Sequence, residues 1–350
     1  METLSLGIDV AKATVEVAAW LDPRGHKLGR FPNTTEGHER LGERLAALAA
    51  RQEATQLQVT LEPSGGYELA LALWLHAHGY RVLLPNPASV RHFAHTSGRR
   101  AKTDGQDALL LAQFGAAHPS APAWQPLPPH VAALEALLGR QAAVEDLLQQ
   151  EQHRQGMLAA QPHLPAVVRQ SVAQVIAALS SELASLGTAI REHLAAHADL
   201  SEELDLLRSV PGVGVRTAPW LLVLLRRWAL LTHDAGTAKG LTAYVGLDPK
   251  PYESGSSVRR HAGISRQGSA AMRRTLYLAA FGGVRHDNAL RAFYLRLRGR
   301  QKPAKVARIA CARKLLVWAW AVYRSRTAFD PSRAGARQTA QPHEEVLLTA

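Results

Sequence analysis

Asp9, Glu62, Asp104 and Asp107 are acids whose local sequence would aim them at a common point. Asp9 follows the alternating run Leu4, Leu6, Ile8, and Glu62 closes the apolar run from Leu57 to Leu61, so both stand at strand ends. Asp104 and Asp107 are spaced i, i+3 at the start of a helix running to Phe114, which puts them on one helical face. Four uncompensated carboxylates in one pocket would repel. The arrangement becomes favourable when Mg2+ or Mn2+ takes their oxygens as ligands. Two such ions about 4 Å apart activate one oxygen and stabilise the leaving one in phosphodiester cleavage. Arg99, Arg100 and Lys102 beside the acids suit a phosphate-bearing substrate. Each acid taken singly also has a plainer role: a turn cap for Asp9, a surface ion pair for Glu62, a helix N-cap for Asp104.

The elements that must position these acids can be read from periodicity. The first strand is followed by a tight reversal through Ala11 and Lys12, a second strand over Thr14 to Trp20, and a third near Gly29 to Phe31. A helix around Gly37 to Ala50 carries Leu41, Leu45 and Leu48 on one stripe. Next come the strand ending at Glu62, the break Pro63-Ser64-Gly65-Gly66, a helix from Leu69 to His78, and a strand from Arg81 to Leu84 closed by Pro85-Asn86-Pro87. Strands first adjacent and then alternating with helices imply a mixed sheet. Strand-end acids in such a sheet, followed by an Asp-x-x-Asp helix, resemble the ribonuclease-H-like nucleases of the Holliday-junction resolvase type.

Beyond about Pro119 the prolines 122, 126, 128 and 129 mark a linker. A helix from Val131 to about Gln155 precedes a heptad seam, Val172, Ile176, Leu179, Leu183, Leu186 and Ile190, with Pro162 and Pro165 in the turn between them. This is a helical hairpin, able to pack within one chain or to dimerise. A third, mostly helical region opens on Val210-Pro211-Gly212-Val213-Gly214, similar to a helix-hairpin-helix turn. There Gly212 and Gly214 would let backbone N–H groups approach a phosphate.

With 350 residues the chain has room for two or more domains. The longest uninterrupted apolar run, Leu315 to Tyr323, is too short to span a bilayer, and no secretory leader is evident, so no membrane partner and a cytoplasmic location are expected. The lone Cys311 excludes a disulfide framework or a multi-cysteine zinc site. The net charge of +12 and a pI near 10.2 call for a polyanionic partner. The excess is local: residues 250–314 hold sixteen Lys or Arg against Glu253 and Asp287. Such a segment would repel itself unless an anion such as nucleic acid neutralised it.

Three amino-terminal motifs, Gly7-Ile8-Asp9-Val10-Ala11-Lys12, Glu62-Pro63-Ser64-Gly65-Gly66-Tyr67 and Lys102-Thr103-Asp104-Gly105-Gln106-Asp107, look like those of the insertion sequence 110 transposases. Residues 210–214, Ala243-Tyr244-Val245-Gly246-Leu247-Asp248-Pro249 and Tyr252-Glu253-Ser254-Gly255-Ser256-Ser257-Val258-Arg259 extend the resemblance over nearly the whole chain. It implies an α+β protein: a RuvC-like mixed α/β domain bearing the four acids (1–118), a linker and coiled-coil hairpin (119–200), and a mostly α-helical transposase domain (201–328). A tail without fixed structure would follow (329–350). The resemblance further implies that Ser254 attacks the scissile phosphate to form a covalent phosphoserine link, with metal held by the four acids. By residue type alone, Ser254 would be a flexible turn residue, and Tyr252 is the alternative nucleophile. The implied partners are donor and target DNA, a guide (bridge) RNA encoded beside the gene, and further copies of the chain as a dimer or tetramer. Arg259, Arg260, Arg266, Arg273 and Arg274 would contact phosphates of either nucleic acid. The competing readings are a metal-dependent nuclease that uses water and a non-catalytic RNA-binding protein.

Overall fold

Small and polar residues on one face of the first strand decide how the amino-terminal layers stack. In the computed structural model, which describes residues 3–21, 24–96, 104–254 and 258–332 (backbone alone for 104, 105, 250–254 and 258–262), β1 (Thr3–Val10) is central. It pairs antiparallel with β2 (Thr14–Leu21), which pairs antiparallel with β3 (Arg24–Pro32). After helix α1 (Thr35–Arg51) the chain returns as β4 (Gln56–Leu61), parallel to β1 on its other side. Helix α2 (Leu69–Ala77) leads to β5 (Arg81–Leu83), parallel to β4. The result is a five-stranded mixed sheet of order β3-β2-β1-β4-β5.

Alternation along the strands gives the sheet two unlike faces. Leu4, Leu6, Ile8, Val10, Val15, Val17, Leu57, Val59 and Leu61 pack on Leu41 and Leu45 of α1 and on Leu71 and Leu75 of α2. The opposite face carries Ser5, Gly7, Gln58 and Thr60, and is covered by α4 (Asp104–Ala117), which follows α3 (Pro87–Thr96). Ser5 Oγ donates to the carbonyl of Ala112 at 2.7 Å, and Gln58 Nε2 donates to that of Gly115 at 2.7 Å. Helix α3 was not foreseen, because Pro85-Asn86-Pro87 read as a stop. Pro87 instead opens the helix, and Asn86 Oδ1 accepts from the N–H of Ala88 at 2.9 Å.

The chain divides into two compact units, the first of residues 1–126 with 229–235, the second of 127–228 with the described residues from 236 on. In the second, α5 (Pro129–Ala159) and α6 (Ala166–Ala195) form the anticipated hairpin. Its seam residues Val172 and Ile190 are buried, and Ile176, Leu179, Leu183 and Leu186 are half-buried. By length and composition alone, α6 is long and apolar enough to cross a membrane. Its apolar stripe is the heptad seam that packs on α5. Helices α7 (Ala198–Arg208), α8 (Ala218–Leu231) and α9 (Ala238–Val245) precede a hairpin of β6 (Pro249–Ser254) and β7 (Val258–Ile264). Helices α10 (Ala270–Gly283), α11 (Ala289–Gly299) and α12 (Ala304–Ser325) complete an α+β chain with twelve helices among the described residues. Helix α12 is the core of this unit, burying Ala307, Cys311, Ala312, Leu315, Leu316 and Ala319. The Cys311 thiol is accordingly pushed up to about 12 by burial. The expected tail beyond Asp330 lies largely outside the described residues.

One titration follows from the packing. His38 is buried on α1, and burial holds its pKa below the ordinary 6.5. A group whose charged form is disfavoured on folding contributes no penalty while neutral, and destabilises as pH falls below its unfolded pKa. Melting curves at pH 7.5 and pH 5 are expected to show an acid loss of stability that is smaller in His38→Gln. An equal loss in both would show that the ring does not contribute.

Candidate active site

The parallel ladder between β1 and β4 pairs Ile8 with Leu61, so Asp9 and Glu62 are the next residues on adjacent, parallel strand ends. Asp9 continues the alternation of the face covered by α4, after Ser5 and Gly7, and Glu62 is the first residue beyond β4, whose Gln58 and Thr60 lie on that face. Helix α4 runs down this face. Ser5 meets Ala112, and a Cβ on Gly7 would lie 2.0 Å from the carbonyl oxygen of Ala108. Two residues of strand advance about 6.7 Å and four of helix about 6 Å, so the next step places the first turn of α4, with Asp104 and Asp107, alongside Asp9. Asp9, Glu62 and Asp107 are half-buried, and Asp104 is placed by its backbone alone. Among the described residues no three Asp, Glu, His or Cys side chains gather as a metal-ligand set, so Asp9, Glu62 and Asp107 do not by themselves converge into one, and the side chain of Asp104 is not described.

Close approach of α4 to the sheet depends on small residues on both sides of the contact. Besides Gly7, a Cβ on Gly115 would lie 2.5 Å from Thr60 Oγ1. The turn between β1 and β2 also brings in an acid that the motifs omit. Asp9 pairs directly with Glu16, whose carboxylate is bound by Arg30 on β3. A tight reversal at Ala11 and Lys12 already implies this pairing.

The loop after Glu62 is organised by Glu68 rather than left loose. Glu68 Oε2 accepts from the N–H groups of Ser64 and Gly66, each at 2.9 Å. Burial pushes this carboxyl up, but hydrogen bonds from its own backbone N–H and from Ser64 and Gly66 together hold it below the usual range. Gly65 and Gly66, with φ of +76° and +105°, supply the left-handed backbone that the turn requires.

In the second unit, Ser254 is the last residue of β6, paired across the hairpin with Val258. Expected as part of a flexible loop, it instead ends a strand. The base of that hairpin is fixed by the 243–249 motif. Asp248 accepts from the Ser265 hydroxyl, and the N–H of Ser265 donates to the Asp248 carbonyl at 2.9 Å. Gly246 ends α9 with φ of +76°, and a Cβ there would lie 2.6 Å from the Gln267 nitrogen. Sequence reasoning assigned this motif no task. Its role is to seat the hairpin that bears Ser254.

The expected phosphate-binding residues fare differently. Arg99, Arg100 and Lys102 lie outside the described residues, and of Arg259, Arg260 and Tyr252 only the backbone is described. Arg273 turns inward, its Nη1 donating to the carbonyls of Gly268 at 2.6 Å and Val245 at 3.2 Å. Arg274 pairs with Asp146 at 3.1 Å, and Arg266 adopts a positive φ of 58° with its N–H on the Gly246 carbonyl. Gly212, with φ of +91°, is backed onto α10, where a Cβ would lie 3.1 Å from the Ala279 carbonyl oxygen. Its lack of a side chain serves packing. Gly214 has open space at the Cβ position.

Comparison with known proteins gives the class first. Residues 6–160 match a family model described as a transposase of the DEDD type, and residues 204–295 match one described as the transposase IS116/IS110/IS902 family. Pilin gene-inverting proteins of Moraxella lacunata and Moraxella bovis are each 30% identical over 334 residues, covering 94% of this chain and 98% of theirs. An insertion element IS110 protein of Streptomyces coelicolor is 34% identical over 165 residues, 47% of this chain and 38% of its own. The chain belongs to the IS110 family of transposases, and is a recombinase that acts on DNA.

Proposed function

We propose that this chain exchanges DNA strands through a covalent phosphoserine intermediate on Ser254, with Asp9, Glu62, Asp104 and Asp107 serving as ligands for Mg2+ or Mn2+. The observation that carries this reading is the β1–β4 register, which brings together the two parallel strand ends that Asp9 and Glu62 follow. The donors are all carboxylate oxygens, the set that hard divalent cations prefer. An ion held there would supply charge stabilisation at the phosphodiester oxygens. The Ser254 oxygen forms a bond to phosphorus as the bond to a deoxyribose oxygen breaks, and that oxygen leaves as a hydroxyl carrying the serine proton. Attack by a hydroxyl of another strand reverses the step and releases the serine. Because the phosphoester persists, no ATP is needed to reseal the strand. The Moraxella relatives are named for inverting a gene, which accords with conservative strand exchange.

In this reading the sheet domain is RuvC-like, the transposase domain holds the nucleophile, and Ser254 of one copy serves the acids of another within a dimer or tetramer. A guide RNA selects donor and target DNA, in the cytoplasm. Support for a nucleic-acid partner comes from α10 to α12. Residues 288–327 hold no Asp or Glu, while Arg285 and Arg308 lie over Phe281 and Arg296 and Lys314 over Phe293. The rings hold these cations in place, and a run without acids favours a polyanionic partner. The test is the rate of covalent protein–DNA adduct formation in Asp9→Asn. A loss of about 100-fold or more is expected from removing a charged group that acts on the transition state, whereas a wild-type rate would sink the assignment.

A further inference from the structure

Asn33 ties together the two loops that follow Asp9 and Glu62. It lies between β3 and α1, outside every motif noted in the sequence, yet its side-chain amide is used at both ends. Nδ2 donates to the carbonyl of Ala11 at 3.1 Å and to that of Tyr67 at 3.1 Å. Ala11 lies just beyond Asp9, and Tyr67 closes the loop that begins after Glu62. The Asn33 backbone N–H donates to the carbonyl of Ala13 at 2.9 Å, fixing the residue to the β1–β2 turn. The remaining acceptor, Oδ1, lies 2.8 Å from Nε2 of the buried His38. A flipped amide would set Oδ1 against two carbonyl oxygens, so the His38 donor and the two carbonyls specify one orientation.

The position of this tie matters because the ladder stops short of the acids. The paired residues of β1 and β4 end at Ile8 and Leu61, one residue before Asp9 and Glu62. Beyond that point the separation of the two strand ends is governed by their loops. Glu68 braces one loop from within, and Asn33 links that loop to the other.

We propose that Asn33, oriented by His38, is a positioning residue that sets the spacing of Asp9 and Glu62 for a divalent cation. The assignment rests on the reading of those carboxylates as metal ligands. A side chain that only stabilised the β1–β2 turn would affect melting but not the affinity of the acids for metal. Loss of an outer partner that orients ligands typically lowers metal affinity by about 10–100-fold.

The test is Mn2+ binding to the full-length protein, followed by the electron paramagnetic resonance of free Mn2+ and paired with melting curves. Asn33→Ala is expected to weaken binding about tenfold or more relative to wild type, and His38→Gln, which keeps an N–H donor, to restore near wild-type affinity. If Asn33→Ala does not fold, His38→Phe decides, since it fills the buried site but removes the donor to Asn33. It is expected to weaken binding several-fold, about threefold or more. Wild-type affinity in Asn33→Ala, or in His38→Phe where that variant decides, overturns this assignment alone. Absence of Mn2+ binding by the wild type overturns it together with the reading of the acids.

Discussion

Gly7→Ala is expected to slow strand joining about 100-fold without altering any group that could touch DNA. The added methyl would lie 2.0 Å from the Ala108 carbonyl oxygen and 2.3 Å from the Ala112 nitrogen, both backbone atoms of α4. Backbone cannot rotate aside as a side chain end can, so α4 must lift from β1. Overpacking of this kind costs about 1–3 kcal/mol or more. The larger effect is functional, because the first turn of α4 carries Asp104 and Asp107. A displacement on the order of 1 Å at reacting groups costs about 100-fold in rate. Thermal melts together with adduct formation on a DNA substrate check both parts. A variant that melts lower but joins strands at the wild-type rate would show that the spacing between α4 and β1 is not what aligns the acids.

Glu203→Ala is expected to be among the most destabilising single changes in the second unit. Glu203 is only 2% exposed, yet its carboxylate receives Arg226 Nε from α8 at 2.9 Å and the guanidinium of Arg326 at the end of α12. Three helices thus meet on one acid. Removing one partner of a buried pair costs about 3–5 kcal/mol because the other charge is left uncompensated. Arg326 is largely exposed and recovers hydration, and Arg226 keeps Asp199 at 2.9 Å, so a loss at or below the low end, about 2–3 kcal/mol, is expected. Replacing Glu203, Arg226 and Arg326 together by Met should restore most of the loss, as apolar substitutes for buried ion pairs often do. Denaturant titration of the three proteins measures this. A single variant with wild-type stability would show that the helices hold without the pair.

The amino-terminal sheet was legible because its signals are local. Alternation in Leu4–Leu6–Ile8 and the apolar run ending before Glu62 marked two strands, and the acids at 104 and 107 marked the start of a helix. The β6–β7 hairpin was hidden by Pro249 and Pro251, which argue against a strand. It forms as an isolated two-stranded pair whose register shifts between those prolines, and the contacts that seat it come from Asp248 and Gly246. Glu16 could have been found by folding the Ala11–Lys12 reversal back on itself. Asn33 could not, since its partners Ala11, Tyr67 and His38 lie in three separate segments that only the folded chain brings together. Gly212 illustrates the reverse case, where a glycine fitting a phosphate-binding turn is explained by its packing on α10.

The most direct test of a serine recombination mechanism is a denaturing gel of the full-length protein with its flanking RNA, labelled donor and target DNA, and Mg2+, comparing wild type with Ser254→Ala. Wild type should give a labelled covalent adduct and a recombinant product, and both should vanish in the variant. Strand cleavage that continues unchanged in Ser254→Ala would contradict the phosphoserine route and assign the chemistry to the carboxylates acting with water.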